Sequence, residues 1–312
     1  MLYKKINDMN ISSLVLGTDY YGSEREEKDC FYMLDKYVEF GGNCIDTANI
    51  YSDGNSEKII GKWLGKGARD RVYISTKGAH PAGDKSISRM SEGDIEEDLN
   101  TSLKRLETDY IDLYWLHRDD VKKPVCEIME ALNKFIKQGK IRNIGASNWI
   151  VERINEANKY AEKTGLKSFC ASQIKWSLAV TNPEYNDDVT LVEMDDIEYN
   201  GYLKNGVSVF AYASQGKGFF SKFACGEETL SQKAKERYLC ETNVKRFELI
   251  KKLADEKNIS VSQAVVSYIY SNRDINSFAI VGPRNKEQLS DCFGNTDILL
   301  TDEEIKSLSS IK

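Results

Sequence analysis

The chain has 312 residues, 41% of them hydrophobic and 29% charged, which is the composition of a globular protein with a sizeable core. Its formal net charge of −6 disfavours generic nucleic-acid binding, which requires a basic surface. No apolar run is long enough to span a bilayer, and no signal-peptide-like apolar segment follows the N-terminus, so we expect a cytoplasmic protein without a membrane partner. The seven cysteines form no C-x-x-C pair, so we expect reduced thiols and no metal site.

Strand and helix patterns alternate along the chain. Residues 2–12 predict a short hairpin, and the first helix is predicted from residue 24 to residue 40 with Ser23 as its N-cap. Ser91 and Asp94 predict a variant of the capping box at the start of the third helix. Segment 215–243 predicts a functional loop that contains a short helix. The other strands are predicted at 13–16, 44–46, 72–77, 111–116, 141–146, 169–173, 207–212 and 277–281, and the other helices at 56–64, 91–106, 124–138, 150–164, 194–204, 244–257, 261–271, 286–293 and 301–309.

Eight strand–helix units in one chain predict an α/β fold, namely a (β/α)8 TIM barrel with the short N-terminal hairpin and extra C-terminal helices. No linker or low-complexity stretch interrupts the pattern, so we expect a single domain over residues 1–312. In such a barrel the carboxyl ends of all strands meet at one rim, where active sites gather.

Three of the predicted strands end at residues with acid–base chemistry. Asp46 closes the second barrel strand, Lys77 closes the third, and His117 follows the fourth. Tyr51 comes after Asp46 in the next loop, close enough for its hydroxyl group to return to the strand end. We therefore expect a carboxylate, an ammonium, an imidazole and a phenol around one rim.

These four groups suit the reduction of a carbonyl. Hydride addition builds negative charge on the carbonyl oxygen, and Tyr51 would supply the proton that this oxygen needs. We expect Lys77 to lower the pKa of the phenol from its usual value near ~10, with Asp46 keeping the lysine charged and His117 orienting the carbonyl. Two other interpretations stay open: a purely structural Lys77–Asp46 ion pair, and a lyase in which Lys77 forms a Schiff base.

Eight motifs at the predicted strand ends follow one another along the chain. They are Leu16-Gly17-Thr18, Asp46-Thr47-Ala48-Asn49-Ile50-Tyr51, Ser75-Thr76-Lys77, Leu116-His117, Gly145-Ala146-Ser147-Asn148-Trp149, Gln173, Tyr212 and Ile280-Val281-Gly282-Pro283-Arg284. In this order they resemble the aldo-keto reductase family over nearly the whole chain. The resemblance implies reduction of aldehydes or ketones by a catalytic tetrad of Asp46, Tyr51, Lys77 and His117. A non-enzymatic nucleotide-binding subunit of the same fold is the alternative.

The resemblance also implies a nicotinamide cofactor across the barrel mouth, NADP(H) by preference and NAD as the second choice, although the chain has no G-x-G-x-x-G motif. By resemblance, Ser147, Asn148 and Gln173 hold the carboxamide, and Tyr212 stacks on the nicotinamide ring. The other residues implied along the cofactor are Gly17, Thr18, Asp46, Tyr51, Ala213, Ser214, Gln215, Gly218, Phe219, Gly282, Arg284, Gln288 and Asp291.

The sequence departs from the family pattern at the phosphate end of the cofactor. Ala213-Ser214-Gln215 replaces the usual Ser-Pro-Leu, and Gln288 stands where NADP-binding members often carry arginine. Asp291-Cys292 replaces a Glu-Asn pair, although Asp291 could still accept a hydrogen bond from adenine. Arg284 is therefore the main candidate for binding a 2′-phosphate, with Lys286 as a helper.

The substrate wall implied by the resemblance is polar. Asp19, His80 and Arg118 lie near positions where family members that reduce aromatic aldehydes often carry tryptophans. Tyr20 adds a hydroxyl group, and Trp149 adds one aromatic face. Such a wall favours sugar-like carbonyl substrates over benzaldehydes, because an apolar ligand would leave buried polar groups unpaired. An Asp19–Arg118 ion pair away from the ligand is the alternative, and the oligomeric state stays open.

Overall fold

The computed structural model describes residues 1–185 and 188–311. In this part of the chain a two-stranded hairpin precedes eight barrel strands. The hairpin consists of β1 (Tyr3–Ile6) and β2 (Met9–Ser12), and the barrel strands are β3 (Leu14–Gly17), β4 (Cys44–Asp46), β5 (Tyr73–Gly78), β6 (Ile111–Leu116), β7 (Ile141–Ser147), β8 (Ala171–Lys175), β9 (Ser208–Tyr212) and β10 (Ser277–Val281).

The eight barrel strands form a closed parallel sheet in the order β10-β3-β4-β5-β6-β7-β8-β9, and β9 pairs with β10 to complete it. Parallel neighbours need a crossover connection, and helices between the strands provide most of these connections. The helices within the described ranges are α1 (Glu27–Glu39), α2 (Asn55–Leu64), α3 (Glu92–Leu106), α4 (Val125–Lys137), α5 (Val151–Thr164), α6 (Asp196–Asn205), α7 (Phe219–Phe223), α8 (Gln232–Tyr238), α9 (Glu241–Lys257), α10 (Val261–Tyr270), α11 (Lys286–Phe293) and α12 (Asp302–Ser309). The predicted (β/α)8 barrel is confirmed, with its hairpin and extra helices. Among these helices, none combines the length and the apolar composition needed to cross a membrane.

The hairpin closes the amino-terminal end of the barrel. Its side chains Ile6, Met9 and Ile11 belong to the same apolar cluster as the residues that fill the barrel interior. Within that cluster the Phe210 ring stacks on Phe278 with 4.5 Å between centroids and meets Trp115 edge-on at 5.2 Å. The interior is therefore filled from this end, and a ligand must approach from the rim formed by the carboxyl ends of the strands.

Gly145 on β7 makes room for the Trp115 side chain. A Cβ atom at this position would lie 2.3 Å from carbons of the indole ring and 2.9 Å from the Ala171 carbonyl oxygen. The indole N–H donates a hydrogen bond to the Ser75 hydroxyl at 2.6 Å, and Ser75 donates in turn to Asp46 at 3.0 Å. The packing of the interior therefore extends to the carboxylate at the rim.

Two predicted helix starts are wrong. α1 begins at Glu27 rather than at residue 24, and its N-cap is Glu26, whose side chain makes no capping hydrogen bond. Ser23 instead accepts a hydrogen bond from the Ser52 hydroxyl at 3.0 Å, so a tertiary contact holds it in the loop. α9 begins at Glu241, three residues before its predicted start.

Two predicted local features differ in detail from the structure. Ser91 caps α3 by accepting from the Asp94 N–H at 3.1 Å, as predicted. The Asp94 carboxylate accepts from the Ser91 hydroxyl rather than from its backbone N–H, because Asp is one methylene shorter than the Glu of a full capping box. Segment 215–243 contains α7, α8 and the start of α9 rather than one short helix.

Candidate active site

The four predicted acid–base residues meet at the carboxyl-terminal rim of the barrel. Asp46 is the last residue of β4, Lys77 is the next-to-last residue of β5, and His117 directly follows β6. Tyr51 begins a 3-10 turn after β4. The Lys77 ammonium contacts both Asp46 and Tyr51, and the Tyr51 and His117 rings lie edge to face with 5.9 Å between centroids. The four side chains therefore form one connected group.

Lys77 and Asp46 form a buried ion pair. The lysine Nζ donates to Oδ2 of Asp46 at 2.6 Å, and the two side chains are 1% and 4% exposed. Nζ also donates to the Thr47 carbonyl oxygen at 2.8 Å and to the Tyr51 hydroxyl at 3.1 Å. Burial alone would lower the pKa of Lys77, but Asp46 and Tyr51 more than offset this and leave the pKa raised. A lysine held as a cation is disfavoured as a Schiff-base nucleophile.

The Asp46 carboxylate is held from three directions. Its Oδ1 accepts from the Ser75 hydroxyl at 3.0 Å and from the Gln173 amide at 2.9 Å, while Oδ2 accepts from Lys77. Ser75 and Gln173 lie on β5 and β8, so the carboxylate links strands across the barrel. Sequence reasoning named Ser75 within a motif but gave it no role in the site. Its position two residues before Lys77 was the available signal, because side chains two apart on a strand face the same side.

Tyr51 is half-buried beside the Lys77 ammonium, which lies 4.7 Å from its ring centroid. Burial raises the pKa of Tyr51, the Lys77 charge opposes the rise, and the pKa stays above its usual value. The lowered pKa expected from the sequence is therefore not found, because desolvation of the phenol outweighs the neighbouring charge. The phenol keeps its proton at neutral pH and can act as an acid.

A strained turn fixes the position of Tyr51. The next three residues, Ser52, Asp53 and Gly54, have left-handed φ angles of 49°, 54° and 81°. Non-glycine residues adopt such angles at an energetic cost, and residues of this kind gather at functional sites. The Arg105 guanidinium packs over Gly54, where a Cβ atom would lie 2.2 Å away, and donates to a backbone carbonyl of this loop at 2.7 Å. Sequence reasoning did not identify Arg105, since it lies on α3, far along the chain.

His117 is a buried, neutral imidazole. Burial is the main cause that holds the pKa of His117 well below its usual range, followed by the charges of Lys77 and Arg118. The His80 ring meets it edge to face with 4.9 Å between centroids. Within the described residues its Nδ1 atom is buried without a hydrogen-bond partner, so a proton on Nε2 is favoured. This tautomer can donate to a carbonyl oxygen.

The residues expected to hold the nicotinamide carboxamide lie beside the tetrad. Ser147 is paired with Gln173 in the β7–β8 register, and Asn148 follows with a left-handed φ of 57°. The Asn148 amide donates to the Ser147 hydroxyl at 3.1 Å and to the His117 carbonyl oxygen at 3.3 Å. Its oxygen accepts from the Tyr212 hydroxyl at 2.7 Å. The structure therefore brings these residues into one hydrogen-bonded patch.

Four residues of the segment after β9 have left-handed backbone conformations. Ala213, Gly216, Lys217 and Gly218 have φ angles of 50°, 54°, 54° and 77°. Turning backbone of this kind can aim several N–H groups at one anion.

Side chains fasten this segment to the barrel. Ser214 donates to the Ile280 carbonyl oxygen at 2.6 Å, and the Gln215 amide donates to the Ser262 hydroxyl at 2.6 Å. Phe219 is buried, and its ring stacks on Phe223 with 5.6 Å between centroids. Ser214, Gln215 and Phe219 therefore shape the segment, and the Phe219 ring is not available to a cofactor.

The predicted adenosine end lies around Arg284. Its guanidinium lies 4.3 Å from the Tyr20 ring centroid and 3.7 Å from the Glu24 carboxylate, and all these groups are partly or largely exposed. The backbone N–H of Arg284 donates to the Gln288 side-chain oxygen at 2.8 Å, so Gln288 shapes this turn. Asp291 is half-exposed one turn further along α11. Glu24 is a residue that sequence reasoning did not identify.

The strand-one motif supports the rim from below. Gly17 is paired with Asp46 in the β3–β4 register. Thr18 is fully buried, and its hydroxyl donates to the Asp46 carbonyl oxygen at 2.9 Å, so its side chain is engaged inside the protein. Gly282 is exposed beside Asp19, whose Oδ1 would lie 3.3 Å from a Cβ at this glycine.

The predicted substrate wall is only partly formed. Asp19 is exposed at the mouth, and packing around its carboxyl group raises its pKa while the Lys77 charge opposes the rise. Arg118 pairs with Asp188 at 3.5 Å, so the alternative of an Asp19–Arg118 ion pair is wrong. Trp149 is fully buried, and its indole N–H donates to the Arg118 carbonyl oxygen at 3.0 Å. It therefore offers no aromatic face to the pocket.

Comparison with known proteins identifies the family of the chain. Residues 13–312 match the model of the aldo/keto reductase family. A Bacillus subtilis protein named as an uncharacterised oxidoreductase is 30% identical, and the match covers 97% of this chain and 93% of the relative. A norsolorinic acid reductase of Aspergillus flavus is 28% identical, and the match covers 96% of this chain and 77% of the relative. The crystal structure of a thermostable aldo-keto reductase in complex with the inhibitor epalrestat gives a TM-score of 0.76 at 26% identity and covers 100% of both chains. The chain therefore belongs to the aldo/keto reductase family.

Proposed function

We propose that the protein reduces aldehyde or ketone groups to alcohols with NADP(H). The observation that carries this proposal is the position of one ammonium between two groups. Lys77 donates to Asp46 at 2.6 Å and to Tyr51 at 3.1 Å, beside the neutral imidazole of His117. A protonated phenol with a fixed cation next to it suits proton donation to an oxygen that gains negative charge.

The residues divide the work of carbonyl reduction between them. Tyr51 and His117 would both donate hydrogen bonds to the carbonyl oxygen and so orient the substrate. When the carbonyl is reduced, its oxygen takes the Tyr51 proton, and the Lys77 ammonium stabilises the phenolate that is left. Asp46 keeps the ammonium in place. A bound nicotinamide would supply the hydride, because no side chain can donate one.

The surface beside the tetrad fits a dinucleotide. Asn148 and Tyr212 offer the polar and aromatic groups that a nicotinamide carboxamide and ring require. The turning segment 213–218, with four left-handed residues, would offer backbone N–H groups to a pyrophosphate. The Lys222 ammonium lies 3.5 Å from the Lys217 carbonyl oxygen. This ammonium adds positive charge beside segment 213–218.

Arg284 is the proposed contact for a 2′-phosphate. A guanidinium can bind a phosphate through two parallel hydrogen bonds. Its present partner, Glu24, is exposed, and exposed ion pairs are worth about 0–1 kcal/mol. A 2′-phosphate can therefore replace this carboxylate. NAD stays the second cofactor in the proposal, because Glu24 can pair with Arg284 when no phosphate is bound.

The proposal includes polar, sugar-like substrates. Asp19 is exposed at the mouth, and His80 lies against His117. Hydroxyl groups of a substrate would pair with these side chains, whereas an apolar ring would leave them unpaired. We expect higher kcat/KM values for keto-sugars than for substituted benzaldehydes, and the reverse order would contradict this part of the proposal.

The substitution Tyr51→Phe tests the proton donor. We expect kcat to fall by about 10²–10⁴-fold, the usual contribution of a positioned acid. The Kd for NADPH, measured by fluorescence titration, should stay close to the wild-type value. Tyr73→Phe is the matched control, because the Tyr73 hydroxyl accepts from the Asn10 N–H at the opposite end of the barrel.

Two results would overturn the proposal in different ways. Near wild-type kcat in Tyr51→Phe would show that another group donates the proton. Tight NADPH binding by the wild-type protein without reduction of any carbonyl in a broad panel would indicate a non-enzymatic nucleotide-binding subunit instead.

A further inference from the structure

Arg118, which directly follows His117, shares one carboxylate with Lys85. Arg118 is 9% exposed, donates to the His117 carbonyl oxygen at 2.8 Å, and donates from Nε to the Thr190 hydroxyl at 2.9 Å. One further guanidinium nitrogen lies 3.5 Å from Oδ2 of Asp188. The Lys85 ammonium contacts the same carboxylate oxygen. Loops that follow β5, β6 and β8 therefore meet at Asp188, and Arg118 links this point to the backbone of His117.

The carboxylate of Asp188 is positioned mainly by its own loop. Its Oδ1 accepts from the Thr190 hydroxyl at 2.6 Å and from the Thr190 N–H at 3.0 Å. Burial alone would raise the pKa of Asp188, but Lys85, Thr190 and Arg118 more than offset this and hold it well below its usual range. Asp188 is therefore a fixed anion at neutral pH, and it contacts both cations.

The pairing between Arg118 and Asp188 is loose. A guanidinium binds a carboxylate or a phosphate best through two parallel N–H···O bonds, whereas here one nitrogen approaches one oxygen at 3.5 Å. The neighbouring carboxylate of Asp119 is already paired with Arg153 at 2.8 Å. Burial, followed by the Arg118 charge, lowers the pKa of His80, so this imidazole adds no charge at neutral pH. Two cations thus face one carboxylate. The guanidinium nitrogen that lies 3.5 Å from Asp188 can donate a shorter hydrogen bond to another anion.

We propose that Asp188 occupies the place of an anionic group of the substrate. The protein would then act on carbonyl compounds that carry a carboxylate or a phosphate, and this group would displace Asp188 and pair with Arg118 and Lys85. The Arg118 guanidinium is hydrogen-bonded to the backbone of His117. An anion bound to Arg118 would therefore lie close to the substrate carbonyl that His117 orients. The inference rests on the proposed function, since it assumes that Tyr51 and His117 bind the carbonyl.

The test compares substrates that differ by one anionic group. Succinic semialdehyde is assayed against its methyl ester, and glyceraldehyde 3-phosphate against glyceraldehyde, so that carboxylate and phosphate are separate arms. The quantity measured is the ratio of kcat/KM for the charged member to that for the neutral member of each pair. We expect this ratio to exceed about tenfold in the wild-type protein in at least one arm, because a hydrogen bond to a charged group contributes that much or more.

Three variants and one control separate anion binding from loop positioning. Lys85→Met and Arg118→Met should each lower the ratio by about tenfold. Lys85 is the safer variant for folding, because its side chain is exposed. Lys123→Met is the matched control, since Lys123 lies on the loop before α4 and pairs with Glu127 of that helix at 2.5 Å. Asp188→Asn should keep or raise the ratio, because it removes the competing carboxylate.

The outcomes distinguish the inference from the proposed function. A wild-type ratio near one in both arms would overturn the inference, and so would equal ratios in Lys85→Met and Lys123→Met. In either case, reduction of the neutral aldehydes would still support the proposed function. Equal losses for charged and neutral members in Asp188→Asn would show that Asp188 only positions its loop. Reduction of no aldehyde in either pair would overturn both.

Discussion

Replacing Lys77 by methionine should destabilise the protein strongly as well as inactivate it. The substitution keeps the length of the side chain and removes the charge that pairs with Asp46 at 2.6 Å. Both side chains are almost fully buried, so the carboxylate would be left inside the protein without a counter-ion. Breaking a buried pair in this way costs about 3–5 kcal/mol of the free energy of unfolding. Ser75 and Gln173 still donate to the carboxylate, so we expect the lower end of that range.

A double variant provides the decisive comparison. Lys77→Met combined with Asp46→Asn removes both charges and keeps a side-chain oxygen that accepts from Ser75 and Gln173. We expect its free energy of unfolding to return to within about 1–2 kcal/mol of the wild-type value, since replacing both members of a buried pair is often close to neutral. Urea unfolding at neutral pH, followed by circular dichroism, measures the three free energies. A Lys77→Met variant as stable as the wild type, or a double variant no more stable than Lys77→Met, would refute the reasoning.

Two further predictions concern the cofactor and the packing of the barrel. Arg284→Ala should raise the KM for NADPH clearly more than the KM for NADH in steady-state assays, because only NADPH offers a 2′-phosphate to the guanidinium; equal rises would show that Arg284 does not contact this phosphate. Gly145→Ala should lower the free energy of unfolding by about 1–3 kcal/mol or more, since the new methyl group would lie 2.3 Å from the Trp115 ring. Gly93→Ala, where a Cβ meets only the Ser91 hydroxyl at 4.0 Å, should leave the unfolding free energy in urea unchanged or higher, and equal losses in both variants would contradict the packing argument.

The barrel was predictable from the sequence because its signals are local. Apolar runs that end in a polar residue alternate with helical patterns. This alternation makes the strands parallel, so the last residue of each strand lies at the same rim of the barrel. Asp46, Lys77 and His117 could be placed at one rim for this reason alone. The start of α1 could not be predicted in the same way, because the contact between Ser23 and Ser52 joins two loops.

The properties that depend on surroundings were not predictable. Tyr51 and Lys77 were paired correctly, yet the direction of the Tyr51 pKa shift depends on how far the phenol is desolvated, and that depends on the packing of the whole rim. Trp149 follows a residue with a left-handed φ of 57°, which redirects the chain. Its ring consequently packs inward against Phe169, with 5.4 Å between centroids.

Gln173 shows how one residue can serve two parts of the site. The resemblance assigns it to the nicotinamide carboxamide, while the structure shows its amide donating to Asp46 at 2.9 Å across the barrel. These roles are compatible, because a glutamine amide has two N–H donors and an oxygen that accepts. One N–H can hold Asp46 while the other N–H and the oxygen face a carboxamide. In the proposed function, a cofactor bound at Gln173 would therefore also help to hold the Asp46 carboxylate in place, and this carboxylate positions Lys77.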